Sequence, residues 1–319
     1  MTRGRTRSGP AGVDRAVQIG TVTLPSPILC ASGTAGHGDE LGRYFDLGSI
    51  GAVVVKSLSV EAWAGNPPPR VHQTPAGMIN SVGLQGPGID SWLHHGLPAL
   101  VATRARVVVS IWGRSVEEFA EAAEELGGAD LPPEVVALEV NLSCPNLDGG
   151  SHLFAHDPGA TADVLREVRA RWERPTWAKL SPNTERLVEV AGAAGAAGAE
   201  AVTLVNTVMG MVIDTGTRRP LLGAGRGGLS GPAIHPIAVR AVFDCRAAHP
   251  TLPIVGVGGV ASGATAVELL LAGASAVQVG TATFAEPAAA ARIDDEVLSW
   301  CRDHGVSRVS DLTGQAHRP

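Results

Sequence analysis

The sequence LEVNLSCPN, at residues 138–146, shows a pattern that recurs along the chain, an apolar run that ends in polar residues. It starts as an apolar run, alternates in polarity from Glu139 to Asn141, and breaks at Pro145. This pattern predicts a buried strand whose carboxyl end delivers Asn141 and Cys144 to a loop. Because a thiol beside amide groups is suited to bind and act on a small polar ligand, we expect the rest of the chain to surround this point.

Apolar, β-rich runs alternate with helical patterns after a short hairpin that is predicted at 17–24. The candidate strands lie at 28–32, 52–56, 107–111, 136–141, 176–180, 201–206, 254–257 and 276–279. The candidate helices lie at 40–47, 91–104, 116–126, 160–172, 184–197, 236–248, 264–272 and 287–304. Apolar strands that are each followed by a helix form parallel sheets covered by helices, so eight such units predict an α/β fold, the (β/α)8 TIM barrel. An open, doubly wound sheet is the alternative, although it usually contains fewer repeats.

The composition narrows the class of protein. The chain has 319 residues, of which 45% are hydrophobic, so it can bury a sizeable core. A net charge of −6 offers no basic surface to nucleic acid. Six tryptophans with a single tyrosine are too few aromatic residues for a base-stacking surface, so we expect no nucleic-acid partner. The four cysteines form no C-x-x-C motif, which suits a reducing, cytoplasmic location. Cys30, Cys245 and Cys301 are expected to be small apolar core residues.

Residues 1–15 contain four arginines with Gly and Pro but no apolar segment. They predict a flexible tail rather than a signal peptide or a membrane anchor. The longest apolar stretch, 191–213, is interrupted by polar residues, so we expect no membrane span. Residues 16–319 are then expected to form one domain.

Polar residues or glycines end nearly every predicted strand. They are Ser32, Lys56, Ser110, Asn141 with Cys144, Lys179, Asn206 with Thr207, Gly258 with Gly259, and Gly280 with Thr281. One such lysine could be an exposed turn residue, but two that end apolar strands indicate a site, because a buried ammonium group is costly unless it is paired. The connections 57–90 and 208–235 leave the same strand ends and are too long for simple turns, so we expect functional loops, the second being a candidate mobile lid.

Two glycine turns, GVGGV at 256–260 and QVGTA at 278–282, follow the last two predicted strands. A single turn of this kind is weak evidence, since it is often only a tight turn. Two of them at these positions indicate a phosphorylated ligand, because many barrels bind phosphate there through backbone N–H groups. Flavin mononucleotide (FMN) is a natural candidate, and Lys179 could offset negative charge on its reduced ring.

Cys144 has two interpretations. A cysteine beside a strand is more often inert packing than a reactive group. The surrounding NLSCPN sequence favours a general base or a nucleophile, and the absence of histidine from this sequence favours proton transfer over thiol hydrolysis. His152 and His156 have a metal-like spacing, but no H-E-x-x-H motif accompanies them, so we expect an ordinary pair and no metal site.

The chain resembles the dihydroorotate dehydrogenases of family 1, and among them the type B branch. Seven segments besides NLSCPN carry this resemblance along nearly the whole chain: ASGTAGHG (31–38), GNPPPR (65–70), TPAGMINSVGLQGPG (74–88), AKLSPN (178–183), LVNTVMGM (204–211), GGLSGPA (227–233) and VGVGGV (255–260). The resemblance implies oxidation of dihydroorotate to orotate, in pyrimidine biosynthesis, by a barrel that contains one FMN. The expected localisation remains the cytoplasm, without a membrane.

The resemblance also implies a role for each matching residue. Cys144 would be the base that removes the C5 proton while the C6 hydride passes to FMN. The substrate would be held by Lys56, Asn80, Ser81, Val82, Gly83, Leu84, Asn141, Asn206 and Thr207. FMN would be held by Ser32, Lys56, Ser57, Asn141, Lys179, Val205, Gly231, Gly258, Gly259, Gly280 and Thr281. Relatives usually carry an asparagine where Ser110 stands, and we retain Ser110 as a flavin contact because its hydroxyl can still form a hydrogen bond.

The acceptor of the electrons is less constrained. Type B relatives use a partner subunit that carries FAD and a 2Fe-2S cluster and passes electrons to NAD. This chain has no cysteine cluster for an iron–sulfur centre, so any cluster would belong to that partner, in a heterotetramer. The alternatives are a type A-like homodimer that uses fumarate or quinone, a flavin-dependent reductase of another pyrimidine, and a non-catalytic flavoprotein subunit.

Overall fold

Eight parallel strands close into a barrel in a computed structural model that describes residues 12–143 and 154–318. The strands of the described chain are β1 (Val17–Ile19), β2 (Val22–Leu24), β3 (Ile28–Cys30), β4 (Ala52–Val54), β5 (Val71–Thr74), β6 (Gly77–Asn80), β7 (Val107–Ile111), β8 (Val135–Asn141), β9 (Thr176–Lys179), β10 (Ala201–Leu204), β11 (Val208–Gly210), β12 (Ile213–Asp214), β13 (Arg219–Pro220), β14 (Gly227–Ser230), β15 (Ile254–Val257) and β16 (Ala276–Val279). The barrel runs β3-β4-β7-β8-β9-β10-β15-β16 and returns to β3. The predicted (β/α)8 barrel is therefore confirmed.

Helices follow the barrel strands and cover its outside. They are α1 (Ile89–Ser91), α2 (Leu97–Ala102), α3 (Val116–Gly128), α4 (Pro158–Arg169), α5 (Leu187–Ala196), α6 (His235–Ala248), α7 (Gly263–Ala272), α8 (Ala282–Ala285) and α9 (Ala289–Asp303). Side chains that accept backbone N–H bonds start several of them: Ser115 caps α3, Asp157 caps α4, and Ser262 forms a capping box at α7. No helix in the described part of the chain is both long enough and apolar enough to cross a bilayer.

The prediction of an α-helix at 40–47 is wrong. The chain forms two 3₁₀ turns there, Glu40–Arg43 and Leu47–Ser49, and Asp46 caps the second by accepting a bond from the Gly48 N–H. Glycines at 42 and 48 disfavour a continuous α-helix, which accounts for the difference. The second predicted helix contains a π-helical segment, Trp92–Gly96, just before Pro98, a residue that has no N–H to continue α-helical bonding.

The lower half of the barrel is apolar and closed by the predicted hairpin. β1 and β2 pair antiparallel, and their side chains pack with inward-facing residues of the barrel strands. Ile19 and Leu24 of the hairpin have no exposed surface. The inward-facing residues are Leu29, Ala52, Val54, Val108, Ala137, Trp177, Ala201, Val255 and Ala276. Polar side chains therefore gather at the other end of the barrel, which is formed by the carboxyl ends of the strands.

The two long connections form one antiparallel sheet, which lies in the order β11-β14-β6-β5. Strands β5 and β6 belong to the connection after β4, and β11 and β14 belong to the connection after β10. The register pairs Asn80 with Gly228, so the two connections are joined by main-chain hydrogen bonds. The sequence predicted both insertions, but not that they pair with each other.

Candidate active site

Alternation along the barrel strands places polar side chains above the apolar interior. On β8, Ala137 packs with the lower cluster, and Glu139 and Asn141 follow at every second position on the same face. On β9, Trp177 and Lys179 repeat this order. Asn141 is 6% exposed and stands opposite Lys179 in the strand register, so these two predicted site residues are neighbours at the rim.

Four predicted flavin contacts form a chain of polar groups. The hydroxyl of Ser57 shares a 2.9 Å hydrogen bond with the hydroxyl of Ser110 and accepts a 3.2 Å bond from Nδ2 of Asn141. The hydroxyl of Ser32 lies 3.5 Å from that of Ser57. Ser110 is fully buried, and its hydroxyl therefore supports Ser57 and, through it, the amide of Asn141.

The amides of the fourth and sixth barrel strands also meet. Oδ1 of Asn141 accepts hydrogen bonds from Oγ of Ser143, at 2.8 Å, and from Nδ2 of Asn206, at 3.3 Å. Oδ1 of Asn206 accepts from the N–H of Thr207 at 2.7 Å. Asn183 donates to the carbonyl of Thr207 at 3.0 Å. The structure thus brings Asn141, Asn206 and Thr207 together, and it adds Ser143 and Asn183, which the sequence analysis did not select.

Lys56 lies beside the loop that follows β3. Its backbone N–H donates to the carbonyl of Gly36 at 3.0 Å, and a Cβ added to Gly33 would lie 3.6 Å from Lys56 Cδ. Burial and then the positive charge of Lys56 lower the pKa of His37, against an opposing effect of Glu40. Since a histidine with a lowered pKa is neutral near pH 7, the positive charge of this region is carried by Lys56.

The segment from Asn80 to Leu84 is held by contacts from both long connections. Asn80 Nδ2 donates to the carbonyl of Gly228 at 3.3 Å. The Ser81 carbonyl accepts from Asn66 Nδ2 at 3.1 Å, and the Gly83 carbonyl accepts from Trp63 Nε1 at 3.0 Å. Val82 and Leu84 are half-buried. These contacts attach the predicted substrate segment to the sheet above the barrel.

Lys179 is paired with an acidic residue that the sequence analysis did not select. Its Nζ lies 3.6 Å from Oε1 of Glu139, which has no exposed surface. Oε2 of Glu139 accepts hydrogen bonds from Thr203 Oγ1 at 2.8 Å and from Gln278 Nε2 at 2.9 Å. The signal was present in the sequence, because Glu139 precedes Asn141 by two residues and must share its face of the strand.

Backbone without side chains lines the ends of the last two barrel strands. Gly231, Gly258 and Gly259 have positive φ angles of 93°, 135° and 69°. A Cβ on Gly259 would lie 2.6 Å from His235 Cβ and 2.8 Å from the Gly231 carbonyl, so an added side chain has no room. One on Gly231 would lie 3.4 Å from Cγ2 of Thr281, whose hydroxyl donates to Ser230 at 2.8 Å.

Gly280 completes this group, since it directly precedes Thr281 and is half-buried. The two glycine turns that the sequence singled out are therefore close in space and border Gly231. Such a group of bare peptides can approach a phosphate closely. Val205 directly follows the last residue of β10 and is joined to it by a cis peptide bond. It is buried, and its N–H donates to the carbonyl of Val257, the residue before Gly258, at 2.7 Å.

Two residues that the sequence analysis singled out, Cys144 and His152, lie outside the described part of the chain. Cys144 follows directly after Ser143 but belongs to residues 144–153, which lie outside the described residues, and His152 does so too. In the described chain no group of three or more His, Cys, Asp or Glu side chains could hold a metal ion.

The chain is similar along nearly its whole length to known dihydroorotate dehydrogenases. A family model described as "Dihydroorotate dehydrogenase" matches residues 15–300. The protein named "Dihydroorotate dehydrogenase B (NAD(+)), catalytic subunit" from Desulforudis audaxviator is 47% identical over 306 residues, covering 96% of this chain and 98% of that protein. Proteins with the same name from Geobacter sulfurreducens and Geotalea uraniireducens are 45% and 44% identical, and each match covers 94% of this chain and 97% of the relative.

Proposed function

The chain belongs to the dihydroorotate dehydrogenase family, and we propose that it oxidises dihydroorotate to orotate in pyrimidine biosynthesis with FMN bound in the barrel. The observation that carries this proposal is the meeting of Asn141, Asn206 and Thr207 at a rim that also contains Lys179. Dihydroorotate is a small carboxylate with amide edges, so amide and ammonium groups match its hydrogen bonds and its charge.

The residues of the barrel fit FMN. The bare backbone at Gly231, Gly258 and Gly259 supports a phosphate position, because peptide groups without side chains can approach an anion closely. Added Cβ atoms there would meet protein neighbours at 2.6 to 2.7 Å, so these positions require glycine. The polar chain of Ser32, Ser57 and Ser110 and the cation of Lys179 supply hydrogen bonds and charge for a flavin ring. When bound, FMN supplies an acceptor for the two electrons of the substrate's hydride.

The substrate would be held from two sides. Asn141, Asn206 and Thr207 would bind its amide edges from the barrel rim. Lys56 would bind its carboxylate, together with the segment from Asn80 to Leu84, which is attached to the antiparallel sheet. Charge-assisted hydrogen bonds of this kind orient a ligand as well as bind it.

Cys144 is the proposed general base. A thiolate at Cys144, which directly follows Ser143 in the sequence, would take the C5 proton of dihydroorotate while the C6 hydride leaves. We expect the Cys144→Ser variant to keep FMN but to reduce it more slowly, by at least about 100-fold near neutral pH, because a hydroxyl loses its proton far less readily than a thiol.

Stopped-flow absorbance of the flavin after anaerobic addition of dihydroorotate measures this effect. The matched control is Cys245→Ser, since Cys245 is a buried thiol of α6. Equal rates in Cys144→Ser and in the control would remove Cys144 from the mechanism.

For the electrons, we propose a partner subunit that carries FAD and a 2Fe-2S cluster and delivers electrons to NAD, in a heterotetramer. The relatives are named as catalytic subunits and with NAD(+), which supports a separate subunit. The described cysteines Cys30, Cys245 and Cys301 are buried and unpaired and form no cluster ligand set. Turnover of the isolated chain with fumarate or quinone, and a homodimeric mass, would favour the type A-like alternative; turnover with NAD only after addition of the partner would support the proposal.

A further inference from the structure

A buried acid, Glu139, lies next to Lys179 and has no role in the reaction proposed above. Of the residues that the structure describes, Glu139, Lys179, His235 and Asp294 are the buried ionisable side chains other than cysteine. Asp294 is paired with Arg15 at 2.7 Å, and His235 bonds to Glu268 at 3.0 Å. Glu139 and Lys179 therefore form the one described pair in which both charged groups are buried.

The hydrogen bonds of Glu139 locate its carboxylate inside the barrel. Thr203 stands on the sixth barrel strand and Gln278 on the eighth, whereas Glu139 stands on the fourth. Both side chains reach the same oxygen, Oε2, so the carboxylate lies between strands on different sides of the barrel. Alternate strands of a TIM barrel contribute to one interior layer, and these three side chains follow that rule.

The second oxygen has a different environment. Oε1 accepts no hydrogen bond among the described residues, and Lys179 Nζ lies 3.6 Å from it. Two donors on Oε2 and an ammonium group near Oε1 suit an ionised carboxylate. The pair thus adds no net charge to the interior, although it places a cation at the level of Asn141 and an anion one layer below.

We propose that Glu139 is a positioning residue that holds the Lys179 ammonium and sets the reduction potential of the bound flavin. This inference rests on the proposed binding of FMN. A hydride brings two electrons and one proton to the ring, which then carries one additional negative charge. A cation near the ring stabilises that charge and an anion opposes it, so the potential depends on the balance between Lys179 and Glu139.

The test is the midpoint potential of the flavin in purified holoprotein, measured by reductive titration against a reference dye without substrate. In Glu139→Gln the cation loses its counter-charge while the side-chain volume is kept. We expect the equilibrium to shift towards reduced flavin by at least about tenfold, which for a two-electron couple is about 30 mV to more positive potential.

Two further variants separate charge from packing. Lys179→Gln is expected to shift the midpoint in the opposite direction. The double variant Glu139→Gln/Lys179→Gln, which removes both charges, is expected to return within about threefold of the wild-type equilibrium. A merely structural role of Glu139 does not predict opposite shifts that cancel.

Asp294→Asn is the matched control, because it also converts a buried acid to its amide. Asp294 bonds to Ser26, just before β3 at the amino-terminal end of the barrel, and its substitution should leave the midpoint unchanged. If Glu139→Gln does not fold, the double variant is compared with Lys179→Gln: replacing a whole buried pair is tolerated better than breaking it, and the double variant must have the higher midpoint.

Unchanged midpoints in Glu139→Gln and in this second comparison, with flavin bound, would overturn the inference and leave the proposed function intact. A wild-type chain that binds no flavin would overturn both. A chain that binds flavin and shows the opposite shifts, but is not reduced by dihydroorotate, would support the role of Glu139 and contradict the proposed substrate.

Discussion

At the scale of single residues, burial sets the expected reactivity of the described thiols Cys30 and Cys245. Burial raises the pKa of the Cys30 and Cys245 thiols to about 12, with Asp244 adding to the effect at Cys245. Because the thiolate is the reactive form, both cysteines should be inert to alkylation at ordinary pH. They are core residues, as the sequence predicted for them.

We therefore expect Cys30 and Cys245 to resist iodoacetamide at about pH 8, where a thiol with a pKa near 12 is ionised in only roughly one molecule in ten thousand. Peptide mass spectrometry after a timed reaction measures the modification of each cysteine. The same reaction in denaturant, where all thiols are exposed, is the control. Fast labelling of Cys30 in native protein would contradict the buried environment.

The sequence predicted that several polar side chains would meet, because polar residues at the ends of apolar strands converge in any parallel barrel. Asn141, Lys179 and Asn206 were selected for this reason. Asn141 and Asn206 share a hydrogen bond, and Lys179 stands opposite Asn141, so these side chains do lie close together. Glu139 was not selected, although it shares the strand face of Asn141. A carboxylate within a strand suggests an exposed side chain, and only the closed barrel shows that it meets Thr203 and Gln278.

At the scale of elements, the glycine turns after β15 and β16 depend on backbone conformation. Gly259 has φ +69°, and a Cβ there would lie 2.6 Å from His235 Cβ. A non-glycine residue in this conformation costs about 1–2 kcal/mol before any clash is counted. The turn is therefore expected to tolerate no side chain.

We expect Gly259→Ala to lower the free energy of unfolding by about 1–3 kcal/mol and to weaken FMN retention, since the turn must shift. Urea unfolding and the ratio of flavin to protein absorbance after gel filtration measure the two effects. Gly128→Ala is the matched control, because a Cβ at this exposed position meets nothing within 4 Å. Full flavin content and wild-type stability in Gly259→Ala would contradict the role of the turn.

Element types were predictable where hydrophobic periodicity was strong, and boundaries were predictable for only some of the elements. The strands β7, β15 and β16 have the predicted ends. The prediction of the first helix was wrong because glycines and the Asp46 cap favour two short 3₁₀ turns over a continuous α-helix, although the hydrophobic pattern was helical. The pairing of β6 with β14 could not be predicted, since a contact between distant loops leaves no local signal.

At the scale of the whole molecule, the barrel has an apolar half, which we expect to provide stability, and a polar half, which contains the proposed site. The hairpin β1–β2 closes the apolar half, and the antiparallel sheet lies on the polar half. The fold class followed from eight repeated strand–helix units. The closure of the barrel bottom by the hairpin emerged only from the structure.

We expect Leu24→Ala, at the apolar end, to lower the free energy of unfolding by about 2–5 kcal/mol, because the side chain is fully buried. Flavin reduction by dihydroorotate should remain near the wild-type rate in the folded variant. Thr23→Ala, at the exposed neighbouring position, is the control and should change stability by less than about 0.5 kcal/mol. Loss of reduction with stability intact would contradict this division.

The most direct test of the proposed function is anaerobic mixing of the purified chain with dihydroorotate while the flavin absorbance is followed. We expect a yellow protein whose absorbance bleaches rapidly, because the substrate's hydride reduces bound FMN in the absence of any other acceptor. A yellow protein that stays oxidised at saturating dihydroorotate would contradict the proposed substrate. A colourless protein that does not take up added FMN would contradict the cofactor site as well.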